Sequence, residues 1–324
     1  MNAPVSDKLA TVFGGSGFVG RHVVRALAKR GWRVRAAVRR PDLANHLQPM
    51  GAVGQIQPVQ ANLRYPESIA RAVEDADAVI NLVGILHETR RQKFQTVHVD
   101  GAAAVAAAAA KEGVGTLVHM SAIGADNGSK SQYARTKAAG EEAVRAAMPG
   151  ATIIRPSIVF GPEDGFFNTF AALARYSPVL PLIGGGTTRF QPVFVGDVAQ
   201  VFAETVDKGT GAGGTFELGG PEIRTFAECL KTMLTVIDRR RLLMPLPFWM
   251  AKVDAWFLQM LPKPLLTVDQ VRLLQTDNVV SDEAAAEGRT LAAYGITPKM
   301  LEAVLPTYLS RFRPHGQYDR QHSV

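Results

Sequence analysis

The sequence contains a single cysteine, Cys229, so no disulfide can form within the chain. One thiol fits a reducing compartment. Cys229 follows Thr225 and Glu228, which have the spacing of a helix capping box, and this pattern predicts packing in a core as its role. The seven histidines are scattered and show no spacing typical of metal ligands. We therefore expect no metal site.

Long apolar runs are also lacking, since none reaches the roughly 18–20 residues that would span a bilayer. Residues 1–13 lead directly into a strand pattern and resemble neither a secretory signal nor an Arg-rich presequence. The net charge of +7 favours an acidic partner, which can be a phosphate-bearing cofactor, an anionic membrane surface or an acidic protein. The arginines are dispersed and no nucleic-acid motif is present, so we expect no nucleic-acid partner.

The strongest positive pattern is TVFGGSGFVG at residues 11–20, where an apolar run meets a glycine-rich turn and an amphipathic stretch begins. The glycines match G-x-G-x-x-G and the variant G-x-x-G-x-x-G. Such a turn lets the backbone approach a pyrophosphate and directs the first N–H groups of a helix at it. The pattern predicts a dinucleotide site formed by Gly14, Gly15, Ser16, Gly17, Phe18, Val19 and Gly20.

Strand and helix patterns alternate through the first half of the chain, which predicts an α/β fold with a doubly wound parallel sheet of the Rossmann type. Predicted strands are 9–13, 32–38, 55–60, 78–84, 116–121 and 151–159, and predicted helices are 18–29, 66–74, 97–111 and 133–147. We expect an NADP(H)-binding Rossmann domain at 1–161. A smaller C-terminal α/β lobe with a docking segment should follow at 162–324, with 191–206 returning to the main domain.

Cofactor choice depends on the end of the second predicted strand, where an acidic residue would bind a ribose hydroxyl and arginine would accommodate a 2′-phosphate. Arg39 and Arg40 stand there, which favours NADP(H) over NAD(H), although a solvated strand end is the alternative. Asn62 and Leu63 fall where this fold usually holds adenine. Val83 and Gly84 end the fourth strand, where the backbone can approach a cofactor.

Tyr133 and Lys137 are four residues apart on one predicted helix and share a face. An ammonium beside a tyrosine lowers its pKa towards working pH, so the pair can move a proton while hydride moves to or from a nicotinamide. The lysine can also bind the nicotinamide ribose. The alternative is a surface pair, since Y-x-x-x-K is common on helices.

Residues 8–206 resemble the short-chain dehydrogenase/reductase superfamily, in its extended or atypical branch. The resemblance rests on the glycine turn, Asn62-Leu63, the strand at 81–84, Tyr133 with Lys137, and the segments 155–157 and 160–162. It implies Tyr133, Lys137 and Ser121 as catalytic residues and adds Pro156 and Ile158 to the cofactor-binding ones. Extended members generally place the catalytic Ser or Thr a position or two beyond Ser121, where this chain has Ala122 and Ile123.

A narrower resemblance covers nearly the whole chain and points to the dehydrogenase-like accessory subunits of respiratory complex I, in a bacterial version. It rests on five segments: 46–55, 79–84, 160–168, 191–198 and 243–248. It implies a tightly bound NADPH with a structural role, and a seat on the peripheral arm near the quinone site, on the cytoplasmic side of the inner membrane. Two alternatives stay open: a free NADPH-dependent reductase or epimerase using Tyr133, and a redox-sensing regulator that binds NADPH without turnover.

Residues 239–261 combine three arginines with an apolar run that holds Trp249, Trp256 and Phe257. Basic and aromatic residues together are typical of a segment that docks at a protein or anionic membrane surface. Prolines at 245 and 247 exclude one continuous helix. The alternative is a lobe core with solvated basic flanks.

Overall fold

The computed structural model of the protein describes residues 3–261 and 264–316. The strands are β1 (Leu9–Phe13), β2 (Arg33–Val38), β3 (Ile56–Gln60), β4 (Ala78–Asn81), β5 (Thr116–Met120), β6 (Thr152–Pro156), β7 (Val159–Phe160), β8 (Val179–Ile183), β9 (Arg189–Phe190), β10 (Val193–Phe194), β11 (Thr215–Leu218), β12 (Arg224–Thr225) and β13 (Leu242–Leu246). The α-helices are α1 (Phe18–Lys29), α2 (Pro66–Val73), α3 (Gly101–Glu112), α4 (Gln132–Ala147), α5 (Phe167–Tyr176), α6 (Val195–Lys208), α7 (Phe226–Val236), α8 (Phe248–Leu258), α9 (Val268–Leu273), α10 (Asp282–Ala286) and α11 (Leu301–Leu309).

These elements divide into two compact units. The first runs to Pro156 and includes Gly196–Leu218 and Ser281–Thr297. The second contains Ser157–Val195, Gly219–Val280 and the described residues from Pro298 onward.

The first unit is built on a seven-stranded sheet in the order β11-β6-β5-β4-β1-β2-β3, with all neighbours parallel. Every residue of β1 and of β4 is buried, as expected for strands covered on both faces. Apolar side chains of α2, α3 and α4 pack on one face of the sheet around Val79, Leu117 and Ile153. The predicted doubly wound fold is confirmed.

Several strand ends differ from the prediction. The run predicted as a strand over 78–84 stops at Asn81, whose side chain accepts a hydrogen bond from the Val83 N–H at 3.1 Å, so Val83 and Gly84 lie in the following loop. The single strand predicted over 151–159 forms two, because Val159 pairs with Val193 of β10 and not with the main sheet. Apolar periodicity shows that a segment is extended but does not show which strand it pairs with.

Two further elements were not predicted. Residues 211–221 are rich in glycine, yet Thr215–Leu218 forms the edge strand β11, which pairs in parallel with β6. The predicted helix over 97–111 begins earlier, as a π-helix over Gln95–Asp100 that continues into α3. A π-helical segment turns its side chains out of the α-helical register and often marks a functional site.

The second unit has its own core, which contains the buried aromatic side chains of Phe160, Phe167 and Phe226. Cys229 is fully buried there, and Thr225 and Glu228 form the predicted capping box. Burial raises the pKa of the Cys229 thiol to about 12, which makes it an unreactive core residue, as predicted.

None of the helices within the described ranges is both long and apolar enough to cross a membrane. The same ranges contain no group of three or more His, Cys, Asp or Glu side chains arranged to hold a metal ion.

Candidate nucleotide site

The glycine turn lies between β1 and α1 and is packed so closely that side chains are excluded. Gly14 has a φ of +79°, a conformation that favours glycine. A Cβ at Gly20 would lie 2.2 Å from the Gly14 carbonyl oxygen, so the first turn of α1 sits directly on the loop. A Cβ at Gly15 would lie 3.1 Å from the Ala36 Cβ. This packing brings the start of the helix close against the sheet.

The beginning of α1 can accept an anion. Its N-cap is Gly17, which offers no side chain to bind the first N–H groups, and the first turn contains no acidic residue. Ser16, Phe18 and Val19 are partly exposed around this end. Uncapped N–H groups and the positive end of the helix dipole together favour a phosphate.

Arg39 and Arg40 are exposed and follow β2 directly. The Gly14 N–H donates to the Ala37 carbonyl at 3.0 Å, so the end of β2 lies beside the glycine turn. Arg40 pairs with Asp42 at 3.1 Å, but both side chains are well exposed and such a pair contributes little to stability. The two arginines are therefore available to an anion bound next to the turn.

The loop after β4 meets the glycine turn from the other side. A Cβ at Gly14 would lie 3.4 Å from Cγ2 of Val83, so these two predicted residues are brought together. Leu63 packs against the start of α3, where a Cβ at Gly101 would lie 2.8 Å from Cδ1 of Leu63. Asn62 accepts a hydrogen bond from the Arg64 N–H at 3.2 Å and thereby shapes the loop after β3.

Lys137 of α4 lies beside this loop. It is only 4% exposed, its Nζ donates to the Met120 carbonyl at 3.1 Å, and a Cβ at Gly84 would lie 3.3 Å from the same Nζ. Burial lowers the pKa of Lys137 to about 8, against the opposing effect of the Glu141 carboxylate. The lysine remains cationic at neutral pH and can donate hydrogen bonds to a hydroxyl bound at Gly84.

Tyr133 differs from the prediction. An ammonium was expected to lower its pKa, but burial raises it to about 12. The Lys137 Nζ binds the Met120 carbonyl and lies 6.0 Å from the centroid of the tyrosine ring. The expected shift towards working pH is therefore wrong, and at neutral pH Tyr133 is protonated.

Ser121 directly follows β5 and is 2% exposed, with its N–H donating to the Ile154 carbonyl at 2.7 Å. Within the described part of the chain its hydroxyl has no hydrogen-bond partner. Its catalytic role stays a prediction.

Pro156 ends β6 in the first unit, whereas Ile158 belongs to the second unit, where its N–H donates to Oδ1 of Asn278 at 3.0 Å.

Sequence reasoning missed two buried polar pairs, formed by His98 with Thr136 and by His119 with Asn81. His98 binds Thr136 at 3.0 Å, and His119 binds Asn81 at 3.2 Å. Both histidines stand within apolar stretches of the sequence, which is the one signal that singles them out.

The second unit carries an exposed apolar surface on α8, which we call the α8 surface. It consists of Trp249, Met250, Val253, Trp256 and Phe257, which are 40–68% exposed. The predicted break at the prolines is confirmed, since β13 ends at Leu246 and α8 begins at Phe248.

The basic flank of this surface is smaller than expected. Arg239 donates to the Phe312 carbonyl and Arg241 to the Ala174 carbonyl, each at 2.8 Å within the second unit. Arg240 is exposed.

Comparison with known proteins agrees with this geometry. The model of the NAD dependent epimerase/dehydratase family matches residues 10–219. The chain is 40% identical over 324 residues to the NADH dehydrogenase [ubiquinone] 1 alpha subcomplex subunit 9, mitochondrial, of Arabidopsis thaliana, covering 96% of this chain and 80% of that protein. It is 32% identical over 311 residues to the NADH-ubiquinone oxidoreductase 40 kDa subunit, mitochondrial, of Neurospora crassa, covering 96% and 81%.

Among solved structures, the Citrobacter sp. triphenylmethane reductase complexed with NADP(H) superposes with a TM-score of 0.72 at 16% identity, covering 92% of this chain and 99% of that one. At this identity the likeness shows the fold alone. The chain therefore belongs to the NAD dependent epimerase/dehydratase family and, within it, to the family of the alpha subcomplex subunit 9 proteins.

Proposed function

We propose that this protein is an accessory subunit of respiratory complex I that holds NADPH structurally and does not turn it over. The observation that carries the proposal is the relationship to complex I subunits along 96% of the chain. A glycine turn with no room for a side chain at Gly15 or Gly20 and an uncapped helix start support nucleotide binding, and Arg39 and Arg40 support the phosphorylated form.

The proposed seat is the peripheral arm near the quinone site, on the cytoplasmic side of the inner membrane of a bacterium. The α8 surface would contact neighbouring subunits and the anionic membrane surface, because exposed tryptophans and phenylalanine are the side chains that bury most apolar area at such contacts. The chain would be held there peripherally.

Native purification of the tagged chain from membranes, followed by mass spectrometry, tests the assembly. We expect the flavin and iron–sulfur proteins of complex I to co-purify in stoichiometric amounts. Recovery of the chain alone, as a small soluble oligomer with NADPH-dependent reductase activity, would overturn the proposal in favour of a free reductase or epimerase.

Exchange of both Arg39 and Arg40 for Asp should remove the preference for NADP(H). Each charge-assisted hydrogen bond to the 2′-phosphate contributes about 1.5–3 kcal/mol, so the affinity for NADPH should fall at least tenfold while that for NADH changes less. The nucleotide released by denaturing extraction is identified by chromatography. Arg33→Asp, at the opposite end of β2, is the matched control and should retain NADP(H). If the wild-type protein releases mostly NAD(H), the assignment is wrong.

Tyr133→Phe distinguishes a structural role from a catalytic one. We expect bound nucleotide and the respiratory activity of complex I to stay nearly unchanged, because a nucleotide that is not turned over requires no proton transfer by the Tyr133 hydroxyl. A general acid or base contributes about 10²–10⁴-fold to a rate. A fall of that size in an NADPH-dependent reductase activity of the purified chain would contradict the structural role.

A further inference from the structure

His98 is a buried histidine that is hydrogen-bonded to Thr136 and packs against the ring of Tyr133. It sits in the π-helix over Gln95–Asp100 and is 2% exposed. Its ring stacks on Phe94 with a centroid distance of 5.3 Å and meets the Tyr133 ring at right angles, also at 5.3 Å. The imidazole is thus held between two aromatic rings, and only its nitrogens are left for polar contacts.

Both ring nitrogens are used, and their partners define the tautomer. Nε2 lies 3.1 Å from the Ile85 backbone nitrogen, whose N–H donates to it. Nδ1 must therefore carry the proton, and it donates to Oγ1 of Thr136 at 3.0 Å. The Thr136 hydroxyl in turn donates to the Gln132 carbonyl at 2.9 Å. The chain of hydrogen bonds runs in one direction, from the loop after β4 to the first turn of α4.

The loop after β4, the π-helix and α4, which these hydrogen bonds connect, are in very close contact. A Cβ at Gly140 would lie 2.2 Å from the His98 carbonyl oxygen, so α4 meets the π-helix at backbone distance. A Cβ at Gly84 would lie 3.8 Å from Nε2 of His98 and 3.3 Å from Nζ of Lys137. His98 therefore stands directly behind the loop and the lysine that we assign to the nucleotide.

Only neutral imidazole can accept at one nitrogen and donate at the other. Burial, together with the Lys137 ammonium, lowers the pKa of His98 to about 3, so the ring stays neutral at physiological pH. The two nitrogens are held at fixed positions on a rigid ring, so that Nε2 accepts from the Ile85 N–H while Nδ1 donates to Thr136. A neutral histidine therefore suits a position between the Ile85 N–H and the Thr136 hydroxyl.

We propose that His98 is a positioning residue for the nucleotide. It links the Gly84–Ile85 loop to the first turn of α4 and so holds the Gly84 backbone and the Lys137 ammonium at fixed positions relative to each other. The proposal rests on the proposed function, since it presupposes that these two groups contact NADPH. His98 itself would not touch the nucleotide. It would act on nucleotide binding through the Gly84 backbone and Lys137.

The test compares nucleotide affinity with stability in the full chain. Thr136→Val keeps the shape of the side chain but removes the hydroxyl, and Thr136→Ser restores it. His98→Phe keeps an aromatic ring between Phe94 and Tyr133 but removes both hydrogen bonds. The Kd for NADPH is measured by calorimetry and the Tm by circular dichroism without nucleotide. We expect Thr136→Val and His98→Phe to raise the Kd at least tenfold, and Thr136→Ser to return it towards the wild-type value.

Thr205→Val is the matched control. Thr205 is also a buried helical threonine of the first unit, and its hydroxyl donates to the Val201 carbonyl four residues back at 3.0 Å, but it lies on α6 and has no bond to the loop after β4. This variant should lower the Tm and leave the Kd unchanged.

The outcomes separate the two proposals. If folded Thr136→Val and His98→Phe bind NADPH as tightly as the wild type, His98 has a merely structural role and the inference is overturned. If His98→Phe does not fold, the pair Thr136→Val and Thr136→Ser decides by the same criterion. If the wild-type chain itself does not bind NADPH, the nucleotide part of the proposed function fails, and the inference fails with it.

Discussion

Lys137→Met is expected to make the nucleotide-free protein more stable and at the same time unable to retain nucleotide. In the folded chain the pKa of Lys137 is lowered from 10.5 to about 8 by burial. Folding at pH 7 therefore keeps an ammonium in a poorly solvated place. At 1.36 kcal/mol per pKa unit the cost is on the order of 3 kcal/mol, which methionine of similar length would not incur. Urea unfolding at pH 7 measures the gain.

The pH dependence of this gain has a definite sign. Below about pH 8 the lysine is protonated in both the folded and the unfolded state, so its cost is fully present. Between about pH 8 and 10.5 the unfolded state binds more protons, and the wild-type stability contribution of this residue rises with pH. The advantage of Lys137→Met should therefore shrink between pH 8 and 10.5. A variant that is less stable than the wild type at pH 7 would contradict the argument.

The same variant should lose the hydrogen bonds between the ammonium and the nucleotide, worth about 1–3 kcal/mol, so that the Kd for NADPH rises roughly 5- to 150-fold. Lys130→Met, an exposed lysine just before α4, is the control and should change neither stability nor affinity. Opposite signs of the two effects at one residue would indicate that Lys137 is kept for binding and not for folding.

Changing Trp249, Trp256 and Phe257 to Ser should abolish assembly and leave the protein folded. The three side chains are 68%, 52% and 61% exposed, so the alternative in which they form the lobe core is wrong, and their removal deletes few internal contacts. Burial of each large aromatic side chain at an interface contributes about 1.5–3 kcal/mol. We expect co-purification with complex I to fall by at least a hundredfold, while bound NADPH and the Tm change little.

Tyr176 and Ile223 provide the control for this experiment, since they are also exposed apolar residues of the second unit, at 82% and 50%, outside the α8 surface. Their exchange for Ser should not affect co-purification. A sharp fall in Tm or aggregation of the triple variant would contradict the exposed position of the α8 surface. Unchanged co-purification would remove the α8 surface from the proposed interface.

The sequence alone was sufficient to predict the doubly wound arrangement of the first six strands in the first unit. The glycine turn, the alternation of strand and helix, and the near-continuous apolar strands are local patterns, and each follows from backbone geometry within a few residues. Gly20 illustrates this. The spacing of the glycines predicts a tight turn, and in the structure the turn is so tight that the Gly14 carbonyl oxygen leaves no room for a Cβ at Gly20. The core position of Cys229 could likewise be predicted from a capping box that is local to α7.

Pairing, burial and protonation were decided by tertiary structure. Whether residues 215–218 form a strand depends on β6 being available as a partner, and whether Trp249 is core or surface depends on what covers α8. The pKa of Tyr133 rises because desolvation outweighs an ammonium that is bound elsewhere, which spacing on a helix could not reveal. His98 gains its role from segments more than ten and more than thirty residues away. Such contacts depend on the three-dimensional arrangement of distant segments, whereas sequence patterns report only the conformational preferences of neighbouring residues.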